Sequence, residues 1–334
     1  DLRVMSPTSY LCSTSQCEAK VGVRSLSPKF RWKKIGYICR TTRDMGYRSG
    51  FVNILGKPNA GKSTLLNALL GEKLAITSPK VQTTRHRILG ILNRPDAQIV
   101  FSDTPGIIDP DYKLHEKMMS VVKKAVEDAD VAVLLVDATD RPELARDIFS
   151  SLHIKAPRIL VINKTDLATP EQVAAARETF SEGGFAAVQE ISALNKENLD
   201  RLLDIIVGLM PEGLPYYPDD MLTERPVRFF VAELIREKIY ELYREEIPYH
   251  TTVLITRFEE KNTLTKISAE VIVQRETQKG IILGEKGKAI KKLGERSRAD
   301  IEAFIDRKVF LELHVKVRDK WRDKDQFLRE YGYS

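Results

Sequence analysis

Gly56, Lys57, Pro58, Asn59, Ala60, Gly61, Lys62 and Ser63 spell the pattern G-x-x-x-x-G-K-[ST], and Thr64 follows it. These residue types at this spacing hold phosphate. Glycines let backbone N–H groups close on phosphate oxygens, and a helix beginning at the lysine adds partial positive charge. Lys62 is placed to reach the β- and γ-phosphates, and the Ser63 hydroxyl to ligate Mg²⁺. The same letters also describe a glycine turn that merely starts a helix. Context separates the two readings: an apolar strand (51–55) runs into the string and a helical stretch (62–70) leaves it.

Three more strings stand downstream in a fixed order. Asp103, Thr104, Pro105 and Gly106 end an apolar strand (99–102), where the carboxylate is expected to hold Mg²⁺ directly or through water and the Gly106 N–H to meet the γ-phosphate. Asn163, Lys164, Thr165 and Asp166 end another strand (159–162). The Asp166 carboxylate can accept from both N1–H and the 2-amino group of guanine; adenine offers neither donor and would strand a buried charge. Lys164 is expected along the base plane, and Ser192, Ala193 and Leu194 to offer a backbone N–H to the guanine O6. Between the first two strings lies a polar stretch, Gln82, Thr83, Thr84, Arg85 and His86. A threonine here can close on Mg²⁺ with GTP bound and let go after hydrolysis, and Thr84 is preferred to Thr83. Lys62, Thr84, Asp103 and Gly106 are thus the candidate catalytic set, with Ser63, Thr84 and Asp103 on the metal. Ile107 sits where small GTPases place a water-orienting glutamine. An isoleucine cannot orient water, so slow intrinsic turnover is expected.

The elements needed to position these strings are legible as an alternation of short apolar runs (51–55, 99–102, 131–137, 159–163, 188–192) and helical stretches (62–70, 114–127, 171–182, 199–210). Residues 86–93 alternate and suit an antiparallel edge strand. The expectation is an α/β P-loop NTPase fold, a doubly wound, mostly parallel sheet with its ligand at the carboxyl ends of the strands. Pro211, Gly213, Pro215 and Pro218 interrupt the pattern. Beyond them the order becomes α-β-β-α-α-β, which belongs to a second, smaller α+β domain. The division expected is an extension (1–45), a nucleotide domain (46–212), a linker (213–226) and the second domain with its tail (227–334).

Within that second domain, Gly284, Glu285, Lys286 and Gly287 form a G-x-x-G turn between two helical stretches, crowded by Lys279, Lys288, Lys291 and Lys292. A KH domain uses such a turn to clamp about four single-stranded nucleotides. Many charges further on (Arg296, Arg298, Arg307, Lys316, Arg318) have acidic neighbours and read as i,i+4 helix pairs. Trp321 either packs the tail down or stacks on a base.

A net charge of +6 leans mildly toward a polyanionic partner. Cys12, Cys17 and Cys39 all precede residue 45, so neither main domain carries a disulfide framework, and no second Cys/His pair completes a zinc site. Residues 1–44 hold nine basic against three acidic residues with no apolar period, and are expected to be disordered. Two readings of them stand: an organellar transit peptide, or residues upstream of a native start at Met45, the second being preferred.

With these residues in view, the sequence resembles the Era GTPase family from about Gly46 onward. The likeness is carried by the Gly56 to Ser63 string, Gln82-Thr83-Thr84-Arg85-His86-Arg87, Asp103 to Gly106, Asn163 to Asp166, Pro215-Tyr216-Tyr217-Pro218 and Gly284 to Gly287. Ala60 stands where members usually have Val. The resemblance implies GTP/GDP and Mg²⁺ as ligands and a type II KH domain that binds the 3′ end of small-subunit rRNA. It further implies a part in assembling the 30S-type ribosomal subunit; the chain is expected to be a monomer. Bacterial members are cytoplasmic with loose peripheral membrane association; eukaryotic members work in mitochondria or plastids. Two other classes compete: an RNA-binding module whose nucleotide domain is only a platform, and a P-loop kinase acting on a small metabolite.

Overall fold

The computed structural model describes residues 46–333. The expectations for residues 1–45, including disorder, a leader and the cysteines, lie outside them. The described chain opens with β1 (Arg48–Gly56), α1 (Lys62–Leu70), β2 (Ile88–Asn93), β3 (Ala97–Asp103), α2 (Lys113–Glu127), β4 (Val131–Asp137) and α3 (Pro142–Ser150). It continues with β5 (Arg158–Asn163), α4 (Pro170–Thr179), β6 (Ala187–Glu190) and α5 (Leu199–Leu209). These strands make one sheet in the order β2-β3-β1-β4-β5-β6. All pairings are parallel except that of β2 with β3.

Period-2 alternation sorts the apolar side chains of each strand onto two faces. Val131, Val133 and Leu135 of β4 join α1 and α5 in one core, and Ala132, Leu134 and Val136 join α2, α3 and α4 in another. Registry then sets the site. Ile54 is opposite Asp103, Gly56 opposite Leu135, and Asp137 opposite Asn163, so the chemistry-bearing loops leave one edge of the sheet. The strand order reverses direction about β1, which is where an open α/β sheet forms its crevice.

Residues 211–226 are stitched to this sheet. Arg48 donates to the carbonyls of Val207, Gly208 and Met210 at the end of α5. Tyr217 exchanges hydrogen bonds with the Gln98 amide at 2.8 and 2.9 Å. The Ile91 N–H donates to Leu222 O at 2.9 Å, and the Thr223 hydroxyl to Leu89 O at 2.7 Å. The segment thereby covers the outer edge of β2, which would otherwise present open N–H and C=O groups.

The second unit of structure holds α6 (Val227–Leu242), α7 (Ile247–His250), β7 (Thr252–Glu260), β8 (Thr265–Val273), α8 (Glu276–Leu283), α9 (Lys288–Ile305), β9 (Val309–Val317) and α10 (Asp325–Glu330). Its sheet runs β7-β8-β9, antiparallel then parallel. Alternate residues of β8 (Ile267, Ala269, Val271) pack against Val231, Ile235 and Ile239 of α6 and Leu293 and Ile301 of α9. Trp321 is fully buried and donates its indole N–H to His250 O at 2.9 Å, so it packs the tail down. Around it Leu328, Tyr331 and Tyr333 meet Leu114 and Met118 of α2. Two of the basic residues read as i,i+4 pairs are instead paired across elements: Arg307 with Glu260 and Lys316 with Glu270. In a small sheet the neighbouring strand brings a carboxylate closer than the helix does. Among the described residues no helix is long and apolar enough to cross a membrane.

Candidate functional site

A cleft of about 600 Å³ opens where β1, β3, β5 and β6 end. Pro58, Asn59, Gly61, Lys62, Ser63 and Thr64 line it from the first loop, Thr84 and Gly106 from the next two, and Lys164 and Leu194 from the last two. The backbone explains the residue types. Asn59 (φ 64) and Gly61 (φ 99) are left-handed, and a Cβ on Gly61 would lie 2.3 Å from the Asn163 amide nitrogen. Gly56 is as constrained, because its Cβ would meet Leu135 O at 2.6 Å. A Cβ on Gly106 would strike Pro58 at 2.8 Å, so the third loop touches the first through bare backbone. Ile107 donates its N–H to Gly56 O at 3.3 Å and turns its side chain into the core beneath α2.

At one end of the cleft three oxygen-bearing side chains meet. The Ser63 hydroxyl donates to Asp103 Oδ2 at 2.7 Å, and Thr84 Oγ1 lies 2.8 Å from Ser63 Oγ and 3.4 Å from the same carboxylate. Thr83 turns away and donates to Lys80 O. Asp103 is fully buried, and its Oδ1 has no hydrogen-bond partner among the described residues. Burial pushes this carboxyl above the usual range, against the pull of Ser63 and Lys62. An orphaned carboxylate oxygen beside two hydroxyls is the hard oxygen donor set that suits Mg²⁺. The residues present fit that ion.

Lys62 is buried and donates to the carbonyls of Gly56 (3.0 Å) and Lys57 (2.8 Å). Burial pushes its ammonium down to about 8, with Asp103 opposing. Lys57 pairs with Asp140. Thr104 anchors its hydroxyl on Ile54 O at 3.0 Å, and Pro105 is buried beside it. At the other end of the cleft, Lys164 (φ 64) is held by Asp137 at 2.5 Å, while Thr165 donates its N–H to Ile191 O and the Asp166 carboxylate is exposed. Asn163 is a brace: it donates to Ala60 O at 2.9 Å and accepts from the Ala193 N–H at 3.0 Å. The Ser192 hydroxyl accepts from the Asn195 N–H, which closes the last loop.

Sequence reasoning missed two things here. Ile76, Thr77, Ser78 and Pro79 also line the cleft, and Asn59 donates its amide to Pro79 O at 2.7 Å. No motif marks that segment; its only local signal is a Ser-Pro turn. The bracing role of Asn163 is likewise invisible until two distant loops are seen at its side.

The G-x-x-G turn lies between α8 and α9. Gly284 (φ 68, ψ 178) adopts a backbone conformation essentially confined to glycine, and its Cβ would strike Ala289 Cβ at 2.6 Å. Gly287 (φ 77) donates its N–H back to Gly284 O at 3.2 Å, with Lys286 left-handed between them. Glu285, Lys286, Lys288, Lys291 and Lys292 are exposed, and Lys279 is half-buried. The arrangement offers a small, charged concavity of backbone and lysine suited to a polyanion.

A family model described as a 50S ribosome-binding GTPase matches residues 51–164, and a KH domain model matches residues 246–322. The chain is similar to the GTPase Era of Geotalea uraniireducens, at 45% identity over 295 residues, covering 86% of this chain and 98% of that relative. It is similar to the GTPase Era of Geobacter metallireducens at 45% identity, covering 87% and 99%. Among solved structures, a point variant of Aquifex aeolicus Era bound to GDP·AlF4⁻ superposes with a TM-score of 0.82 at 41% identity, covering 86% of this chain and 99% of that one. An Era in complex with MgGDPNP and nucleotides 1506–1542 of 16S ribosomal RNA gives the same TM-score, identity and coverage.

Proposed function

The chain belongs to the Era GTPase family, and from that premise we propose that it is a GTP-hydrolysing switch whose KH domain binds the 3′ end of small-subunit rRNA during assembly of the small ribosomal subunit. The observation that carries the nucleotide half is the meeting of Ser63, Thr84 and Asp103 around an orphaned carboxylate oxygen. For the RNA half the support is the G-x-x-G turn with its exposed lysines, together with the relative solved on 16S rRNA.

In this reading the first loop wraps the phosphates with its N–H groups, and Lys62 exchanges two carbonyls for phosphate oxygens. Ser63, Thr84 and Asp103 would hold Mg²⁺, which when bound neutralises charge between the β- and γ-phosphates. Thr84 and Gly106 follow the γ-phosphate, so each loop has a reason to relax after hydrolysis. Asp166 reads the guanine N1–H and 2-amino groups; Lys164, fixed by Asp137, lies along the base, and Asn163 keeps the base loop at a set distance from the phosphate loop. Ile107 leaves the attacking water unoriented, so turnover is slow until a partner supplies that group. The cytoplasmic setting and loose membrane association rest on the family resemblance alone.

The test is GTP hydrolysis with and without a single-stranded oligonucleotide from the small-subunit rRNA 3′ end. Slow basal turnover that this RNA raises, and a scrambled RNA does not, supports the joined switch. Fast turnover by the isolated chain would refute the unoriented-water argument. Phosphoryl transfer to a metabolite would restore the kinase reading.

A further inference from the structure

The loop that carries Thr84 is gripped along its length by a helix of the other domain. Residues 71–87 have no helix or strand of their own. Lys73 pairs with Glu237 of α6 at 2.6 Å, and the Thr77 N–H donates to the same carboxylate at 3.0 Å. Lys80 donates its ammonium to the carbonyls of Tyr240 and Tyr243, which end α6. The Tyr240 hydroxyl donates to Gln82 O at 3.0 Å and lies 3.4 Å from the Arg85 guanidinium. Arg85 is 2% exposed and also donates to the carbonyls of Pro248, Tyr249 and Thr251. Thr84 therefore stands between two residues, Gln82 and Arg85, that are both fixed to one buried tyrosine.

We infer that Tyr240 and Glu237 of α6 are positioning residues for the nucleotide site: they hold the 71–87 loop in the one arrangement that turns Thr84 toward Ser63 and Asp103. The inference rests on the proposed GTP and Mg²⁺ chemistry. A loop of this length without its own secondary structure has many conformations, and pinning it in advance removes an ordering cost from ligand binding. That advantage goes to the ligand state that uses Thr84. It does not extend to a nucleotide held only by the first loop and the base loop. Glu237 and Tyr240 do not line the cleft, and their hydrogen bonds to its lining go to Thr77 and Gln82 of this loop.

The experiment measures affinity of the full chain for fluorescent GDP and a fluorescent non-hydrolysable GTP analogue, with Mg²⁺ present, in Tyr240→Phe, Glu237→Gln, Thr84→Ala and the Tyr240→Phe/Thr84→Ala double variant. Tyr240→Phe keeps the ring and its packing, and the thermal midpoint is recorded for each protein. Expected is a three- to tenfold loss for the GTP analogue, GDP affinity within twofold of wild type, and no further loss when Tyr240→Phe is added to Thr84→Ala. Glu237→Gln keeps an acceptor for the Thr77 N–H but loses the Lys73 charge pair, and should show a smaller loss of the same selectivity. Equal losses for both nucleotides, or additive losses in the double variant, would overturn the inference. A Thr84→Ala protein that binds the GTP analogue as wild type does would remove its basis. Failure of wild type to bind either guanine nucleotide would instead defeat the proposed function itself.

Discussion

The nucleotide cleft and the G-x-x-G turn both face phosphates, yet they are built in opposite ways. In the cleft, groups from four strand ends converge, many of them buried or half-buried, and several are fixed by another: Asn163 by two loops, Lys164 by Asp137, Ser63 by Asp103. At the turn, one short segment supplies everything, and its lysines stand in solvent. Buried convergent groups recognise one ligand and depend on each other. Exposed charges recognise a class of ligand and act nearly independently.

The sharpest way to break this comparison is at Asp166. Asp166→Asn places a donor against the guanine N1–H, and GTP affinity should fall roughly a hundredfold or more, with xanthine nucleotide gaining by comparison. Competition binding with both nucleotides checks it. A few-fold change would mean the base end is no more specific than the turn.

The next effect is set by pH. Lys62 in the free protein sits at about 8, and bound phosphates would hold its proton more tightly. Binding then takes up a proton once the free lysine has lost it. GTP affinity should be level below about pH 7.5 and fall above 8 by up to about tenfold per pH unit, and Lys62→Arg should lose that slope. Calorimetry across this range in two buffers reads the proton uptake directly.

At the turn, Gly284→Ala must absorb both a forbidden conformation and the Ala289 contact. The strain of about 1–3 kcal/mol predicts a loss of RNA affinity of order tenfold, with GTP binding unchanged. Smallest are the individual charges. Lys286→Ala or Lys288→Ala should each cost RNA affinity only a few-fold, and each should lower the slope of log affinity against log salt by ~0.7. A single lysine whose removal abolished binding would show the turn to be convergent after all.

What could be read without coordinates follows the same division. Residues 62–70 are legible as a helix because the phosphate string sets its start, and Gly71 ends it in a left-handed C-cap. The α4 helix begins at Pro170, not 171, and ends at Thr179; its start is written in a capping box between Thr169 and Gln172. The α3 helix went unread because it is only nine residues long and its stripe of Ala145, Ile148 and Phe149 spans little more than one turn. Gly56, Ser63 and Asp103 announce themselves because their loops must keep particular residues in a particular order. Tyr240, Glu237 and the 76–79 lining do not. Their part is defined by what lies opposite, more than 150 residues away in the chain, and no local pattern encodes that distance.

The stitching of residues 211–226 along β2 sets a tether length. Thr223 holds Leu89 O through its hydroxyl and Arg225 holds Arg87 O through its guanidinium at 3.1 Å, and α6 starts at Val227, four steps past Thr223. Four residue steps of fully extended chain reach at most about 14 Å. If the α6 contacts let go, the second domain can pivot about this point but cannot travel far from it. At that range the released partners remain at an effective concentration of order millimolar. Re-docking is therefore a local event that dilution of the protein should not slow, and lengthening the tether with glycine and serine after Thr223 is the direct way to weaken it.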